Sequence, residues 1–549
     1  RPLTDVNRII QRQDGIEELT GHTTELPQLE EMLEHVFDFE RILTRIEANT
    51  TSPKDLLALK ASLGMIPEIK KLLSGTVSIV LRKLSDQMDI HSTVYELLDR
   101  SMNENGTGNI RDGKYIKEGY SAELDEVRSL SENSRKWIAD LEEREKEKTG
   151  IKLKIGFNNV FGYYFEITNA NKVPIPEYYM RKQTLVNAER YITPELKEFE
   201  TKALSAKEKT EELELKIYQA VKAAIRPEIA AMQRTAKALA ALDCLTGLSR
   251  AALKDRYVRP QITNSREGRI SIHDGRHPMV EHALKREMFV PNDTELNHTD
   301  QEMIIITGPN MAGKSTYMRQ VAVLTIMAQT GSFIPAKSAS FAPVDRIFTR
   351  VGAADDISTG QSTFMVEMKE VSHILCNATK NSLILLDEIG RGTSTYDGMS
   401  IARAVVEYLN SKVHAYTLFA THYHELSDMA AENEHIKNYT VTVKERGKEI
   451  TFLRRIVPGS ADKSYGIHVA RLAGLPESLL KRADEILEGL EVEGIKEEPA
   501  APVIRRETAL NLFSSPIIDE LADLDVMSKT PIEAMEILFR LSKEAKEGR

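Results

Sequence analysis

Gly308-Pro309-Asn310-Met311-Ala312-Gly313-Lys314-Ser315 fits the pattern G-x-x-x-x-G-K-[ST], with Thr316 directly after it. Glycines at both ends of such a loop let backbone N–H groups turn toward phosphate oxygens, and a helix starting at the loop adds its positive dipole end. Lys314 is placed to reach the β- and γ-phosphates of a nucleotide, and the Ser315 hydroxyl to ligate Mg²⁺. A second cluster is Asp387-Glu388. At the carboxyl end of a strand beside the loop, Asp387 would hold Mg²⁺, directly or through water. Glu388 would orient or deprotonate the attacking water. Gly390 to Gly398 forms a polar, glycine-rich loop after this pair, too unusual for a plain turn. His422 stands at another strand end, where it could sense the γ-phosphate, and His424 is its competitor.

These residues need elements to hold them. Met303-Ile304-Ile305-Ile306 is a short β-branched apolar run before the loop, and Met318, Val321, Ala322, Thr325 and Ala328 follow at helical spacing. Strand, glycine loop, helix is the context the motif requires. Leu383 to Leu386 and Thr417 to Ala420 read as further buried strands ending in Asp387-Glu388 and Thr421-His422. The whole stretch 258–490 alternates strands and helices, an α/β pattern.

Upstream the period differs. Residues 1–148 are helical almost throughout, with Leu56, Leu57, Leu59 and Leu63, then Leu124, Val127 and Leu130, at three- and four-residue spacing. Asp140 to Lys148 is almost wholly charged, and Glu142 and Lys146 are spaced as an i,i+4 pair at the end of a long helix. Strand signals occupy Ile151 to Ile155 and Phe161 to Ile167, and helical spacing returns from Pro194 to Leu253. A β insertion of about fifty residues between two helical arms suggests a lever with a tip domain. Its Lys152, Lys154, Arg181, Lys182 and Arg190, with tyrosines and the neutral donors Gln183 and Asn187, suit contacts to a phosphate backbone without base reading. Glu189 and Glu195 dilute that charge, so composition alone leaves a plain surface equally open.

A chain of 549 residues is too long for one core. Hydrophobic content is 41%, mean hydropathy is −0.34, and no apolar run approaches the ~20 residues that span a bilayer, so no membrane is expected. Two distant cysteines indicate neither disulfides nor zinc and fit a reducing cytoplasm. The net charge of −10 excludes a uniformly basic coat but not a local basic patch.

The runs Thr307 to Tyr317, Ser362-Thr363-Phe364-Met365-Val366-Glu367-Met368, Asp387 to Ser394 and Ala420-Thr421-His422-Tyr423 together resemble the MutS proteins of DNA mismatch repair, ABC-type ATPases. Gly113 to Arg128 and Arg181 to Glu195 extend the likeness into the helical half. The resemblance implies a multidomain α and α/β fold. Its parts would be a helical lever (1–148), a β-rich DNA clamp (149–204), returning lever helices (205–257) and an ABC-type ATPase and dimerisation domain (258–490). A linker (491–529) and a C-terminal oligomerisation helix (530–549) would complete it.

The same likeness implies ATP and Mg²⁺ as cofactors, and double-stranded DNA, a homodimer that could pair into a tetramer, and a MutL-type protein as partners, in a nucleoid-associated setting. It places Ser362 in trans on the partner's γ-phosphate; its own pattern reads as a helix N-cap, and both roles can hold. It places the Phe289 ring on adenine, where a core phenylalanine is the alternative. Ala509-Leu510-Asn511-Leu512-Phe513 resembles a sliding-clamp docking peptide, with alanine replacing the usual glutamine.

One departure matters. The family reads mismatches with an N-terminal domain carrying Phe-x-Glu, and the chain contains none, opening at Arg1 inside what resembles the lever. The expectation is a chain with the motor and clamp but without the mismatch reader, either truncated, which the opening arginine favours, or a homologue without those domains. Two other readings stand beside it. A transport ATPase would need membrane helices or a coupling partner, and the usual Leu-Ser-Gly-Gly-Gln does not occur; a chromosome organiser would split its ATPase halves around a much longer coiled coil. A MutS-like recombination scaffold clamping branched DNA remains compatible.

Overall fold

The computed structural model describes residues 1–106, 109–158, 162–264, 268–284, 288–309, 312–352, 362–446, 449–460 and 466–494, with 537 and 540. By compactness the chain divides into residues 1–473 and 474–549.

The N-terminal helices are α1 (Val6–Gly21), α2 (Glu25–Glu34), α3 (Phe39–Glu47), α4 (Pro53–Leu73), α5 (Ile79–Gln87), α6 (Ser92–Ser101) and α7 (Ala122–Thr149). Their ends follow local chemistry. Ser52 caps α4 in a reciprocal box with Asp55, with Pro53 at the first helical position where its missing N–H costs nothing. Ser121 caps α7, and Gly150, at φ 70°, ends it. The leucine spacing is explained by burial: Leu56, Leu59 and Leu63 are at most 1% exposed in a core drawn from residues 16–252 together with Phe333. The expected Glu142–Lys146 ion pair is present on the last turns of α7.

The insertion is a four-stranded antiparallel sheet of β1 (Leu153–Asn158), β2 (Gly162–Thr168), β3 (Met180–Thr184) and β4 (Ala188–Ile192), in the order β1-β2-β4-β3. One face buries Leu153, Phe165, Ile167 and Tyr191 against Leu141 of α7 and Leu196 of the helix that follows. That helix, α8 (Pro194–Ile225), opens on the capping Thr193 and Pro194 and spans ~48 Å at 1.5 Å per residue. It packs beside α7, where Arg128 pairs with a Glu214 side chain only 2% exposed. Glu214 also accepts the Lys114 N–H at 3.0 Å. A buried carboxylate is tolerated here because a cation and backbone donors surround it. α9 (Ile229–Asp255) then returns through the first core.

Beyond it come β5 (Gln261–Ile262), β6 (Arg269–Gly275), α10 (Pro278–Ala283), β7 (Asn292–Asn297), β8 (Met303–Thr307), α11 (Lys314–Thr330), β9 (Ser338–Phe341) and β10 (Ile347–Arg350). They are followed by α12 (Thr363–Asn377), β11 (Leu383–Asp387), α13 (Thr395–Tyr408), β12 (Tyr416–Ala420), α14 (Met429–Glu432), β13 (Ile436–Arg446), β14 (Glu449–Pro458) and α15 (Gly466–Leu472). A six-stranded sheet runs β10-β11-β12-β8-β13-β14, parallel except for the last pair. A second sheet runs β5-β9-β6-β7.

The central strand β8 has Ile304, Ile305 and Ile306 at 0% exposure, with Ile304 and Ile306 in the core on one face and Ile305 in the core on the other. Burial on both faces explains why the run is continuously apolar rather than alternating. Each isoleucine contributes about 1.5–3 kcal/mol by leaving water. All three strands that carry candidate chemistry, β8, β11 and β12, are adjacent and parallel, so their carboxyl ends lie along one edge. α16 (Glu477–Gly494) belongs to the second unit. The Ala509–Phe513 peptide and, apart from 537 and 540, the final helix lie outside the described residues.

Candidate phosphate-binding site

β8 ends at Thr307, and α11 begins at Lys314. Gly308 and Gly313, at φ 129° and 104°, sit in the region that side chains rarely adopt, which is what the turn between them demands. Asn310 and Met311 lie outside the described residues; Ala312 is buried. Pro309, Gly313, Lys314, Ser315 and Thr316 line a cavity of about 290 Å³, closed opposite by Asp387, Glu388 and Arg391.

Lys314 is 4% exposed and folds back on its own loop, donating to the carbonyls of Gly308 at 2.5 Å and Pro309 at 3.2 Å. Burial lowers its pKa against the pull of Glu388 and Asp387. Asp387 shows the complementary effect: burial raises its pKa, and a hydrogen bond from the Ser315 hydroxyl draws it back. A carboxylate and a hydroxyl in contact at the cavity floor are hard oxygen donors of the kind Mg²⁺ takes. The residues therefore fit the ion.

Glu388 adopts φ 53°, a left-handed backbone conformation unusual outside glycine. Its N–H donates to the Ala420 carbonyl at 2.9 Å, and its carboxylate pairs with Arg391. Strain held at a site by surrounding contacts is a mark of an aimed side chain. His422 stands beside this group, with Glu388, Arg391 and Lys314 among its electrostatic neighbours. Crowding by the protein lowers its pKa, Glu388 opposing. Those neighbours favour His422 over His424.

Phe289 does not sit in a core. It is half-buried on a second cavity of about 190 Å³, shared with Tyr317, Gln320 and Arg454. Gly313 and Thr316 line both cavities, so the polar chamber and the aromatic one adjoin. Ser362 does not line either chamber. It caps α12, accepting the Met365 N–H at 3.2 Å, and is exposed.

Sequence reasoning missed Arg391 and Arg454. Arg391 stood in the unusual glycine loop, next to the acidic pair, and that proximity was its signal. Arg454, on a distant strand, had none.

The basic residues of the insertion are brought together differently. Cross-strand pairing sets Lys154 opposite Glu166, Glu166 opposite Arg190, and Arg190 opposite Gln183, one polar row across all four strands. In that row Arg190 donates to Glu166 at 3.0 Å and to Gln183 at 2.9 Å, and its guanidinium lies 4.2 Å from the Tyr164 ring. Arg181 pairs with Glu189 at 3.0 Å. Lys152, Lys182 and Asn187 are exposed.

The class this defines is a mixed α/β protein whose parallel sheet carries a glycine-loop cavity closed by two carboxylates and an arginine. The MutS domain V profile matches residues 304–491, and that of MutS family domain IV matches 119–209. The chain belongs to the MutS family. It is 49% identical to the DNA mismatch repair protein MutS of Caldicellulosiruptor bescii, over 99% of the chain and 64% of that protein. It is 47% and 46% identical to the proteins of the same name in Clostridium kluyveri and Acetivibrio thermocellus, in each case over 100% of the chain and 64% of the relative. The chain thus spans a little under two thirds of these relatives' length. Among the described residues no helix is long and apolar enough to cross a membrane.

Proposed function

We propose that this chain is the ATP-hydrolysing and DNA-gripping part of a mismatch repair protein of the MutS type. The observation that carries the reading is the meeting of Lys314, Ser315, Asp387, Glu388 and Arg391 around one cavity, from two strand ends about 70 residues apart in sequence. ATP would place its phosphates on the loop between Gly308 and Thr316 and its base in the adjoining chamber against Phe289. Ser315 and Asp387 would hold Mg²⁺, which neutralises charge on the phosphate oxygens when bound. Glu388 orients the attacking water and takes its proton, with Arg391 holding the carboxylate in place. His422 is neutral near pH 7, because its lowered pKa leaves it unprotonated, and it can therefore accept or donate one hydrogen bond at the γ-phosphate.

Ser362 lies outside the cavity and exposed at a helix N-terminus, so it is available to the nucleotide of a second copy. This supports composite sites in a homodimer. The expected clamp (149–204), whose sheet of residues 153–192 lies between α7 and α8 and which includes the first turns of α8, grips duplex DNA, its polar row and exposed lysines meeting phosphates. A MutL-type partner, pairing of dimers into tetramers, and docking of Ala509–Phe513 on a sliding clamp belong to the same reading.

The direct test is Glu388→Ala. Steady-state ATP hydrolysis should fall about 100-fold or more, the range of general-base loss, while a fluorescent ADP analogue still binds. Normal turnover by this variant would remove Glu388 from the mechanism.

A further inference from the structure

Gly390, two residues beyond Glu388, is held at both of its backbone polar groups. Its N–H donates to the Glu367 carboxylate at 2.6 Å, and its carbonyl accepts from the Tyr423 hydroxyl at 3.1 Å. It has φ 90°, and a Cβ there would stand 2.5 Å from the Gly398 carbonyl oxygen, so the turn is fitted as well as tied. Glu367 is itself buried at 5% exposure. Its other oxygen receives Arg350 of β10 at 3.2 Å, and Arg350 also reaches Glu370. Glu367 stands on α12, five residues from the Ser362 cap. Neither catalysis nor binding, as described above, uses this carboxylate, and Glu367 lines neither chamber.

We propose that Glu367 is a positioning residue, a strut from α12 to Gly390 that sets the aim of Glu388. The Ser362 end of α12 and the Glu388 turn then move as one body. Tyr423 ties the His422 segment to the same glycine. This rests on Glu388 as the water-orienting group. If Glu388→Ala hydrolyses ATP normally, that reading fails, whatever the Glu367 variants do.

Reach and charge can be separated. Glu367→Gln keeps the length and an acceptor for the Gly390 N–H but leaves Arg350 only Glu370. Glu367→Asp keeps the charge but shortens the strut by one methylene. A strut predicts that Glu367→Asp loses at least about tenfold in kcat, because misplacement by an ångström costs up to about 100-fold. Glu367→Gln should stay within about threefold. Both should bind the fluorescent ADP analogue with unchanged affinity. Amide hydrogen exchange of the peptide covering Gly390 should quicken in Glu367→Asp and not in Glu367→Gln, a readout that does not depend on turnover. Simple charge balance for Arg350 predicts the reverse order. The positioning role is overturned if Glu367→Asp matches the parent rate, or if Glu367→Gln is the slower or fails to fold while Glu367→Asp is active.

Discussion

The glycine-loop cavity and the face of the β insertion hold charge in opposite ways. In the cavity Lys314 is buried and Asp387 half-buried, and burial displaces their pKa values: Lys314 down, Asp387 up. A ligand of complementary charge would relieve both, so on the proposed reading a few fixed contacts would carry binding there. On the insertion the lysines face water and Arg181 and Arg190 are already paired with Glu189 and Glu166. Water and these internal carboxylates would weaken any single phosphate contact, so the proposed grip on DNA would come from the sum of many. On that reading one region suits a few contacts that cannot be exchanged, the other several that can.

The contrast is broken most sharply at Lys314. Lys314→Ala should lower affinity for the fluorescent ADP analogue about 100-fold, the scale of losing a buried charge-assisted contact, and leave duplex binding by nucleotide-free protein unchanged. Equal losses in both assays would mean the regions are not independent. Next in size is the double change Arg181→Glu with Lys182→Glu. Duplex affinity should fall about tenfold at low salt and by much less near physiological ionic strength, because exposed charges are screened. Fluorescence anisotropy across a salt series measures this, and no loss at low salt would remove the insertion from the DNA interface.

A smaller effect runs the other way. Glu166→Gln frees Arg190 from its ion pair, and duplex affinity should rise by about two- to threefold, the scale of one exposed contact. No change would show that Glu166 does not hold Arg190 back from the duplex, Gln183 and Tyr164 keeping it in place. The smallest effect concerns pH. Burial raises the pKa of Asp387, so the folded protein holds its proton at a pH where the unfolded chain has released it. This carboxylate's contribution to stability therefore falls as pH rises through the window from the unfolded pKa to the raised folded one. Asp387→Asn should raise the melting midpoint of the nucleotide-free protein near pH 7 while abolishing Mg²⁺-dependent hydrolysis. A lowered midpoint would show that the Ser315 hydrogen bond outweighs the burial cost.

Legibility in the sequence followed contiguity. The loop from Gly308 to Ser315 was readable because each residue's task is set by neighbours a few positions away. The strands at Met303, Leu383 and Thr417 were readable because burial on both faces leaves an unbroken apolar run. The helical arms were readable from three- and four-residue spacing. The hairpin of β3 and β4 was less so, since Arg181 to Tyr191 is mostly polar and exposed on one side, and polar residues carry little periodic signal. The alignment of Lys154, Arg190 and Gln183 was not readable at all, because it depends on register between strands.

By itself, then, the sequence determined which segments become strands and helices, where the glycine turn falls, and which residue types suit phosphate chemistry. Those follow from local sterics and hydrophobic period. Only the tertiary structure decided that Asp387 meets Ser315, that Arg391 closes on Glu388, that Phe289 borders a cavity, and that Glu367 braces Gly390. These are contacts between elements far apart in the chain. They exist because parallel strands bring their carboxyl ends to one edge, and no local pattern encodes which side chains then face each other.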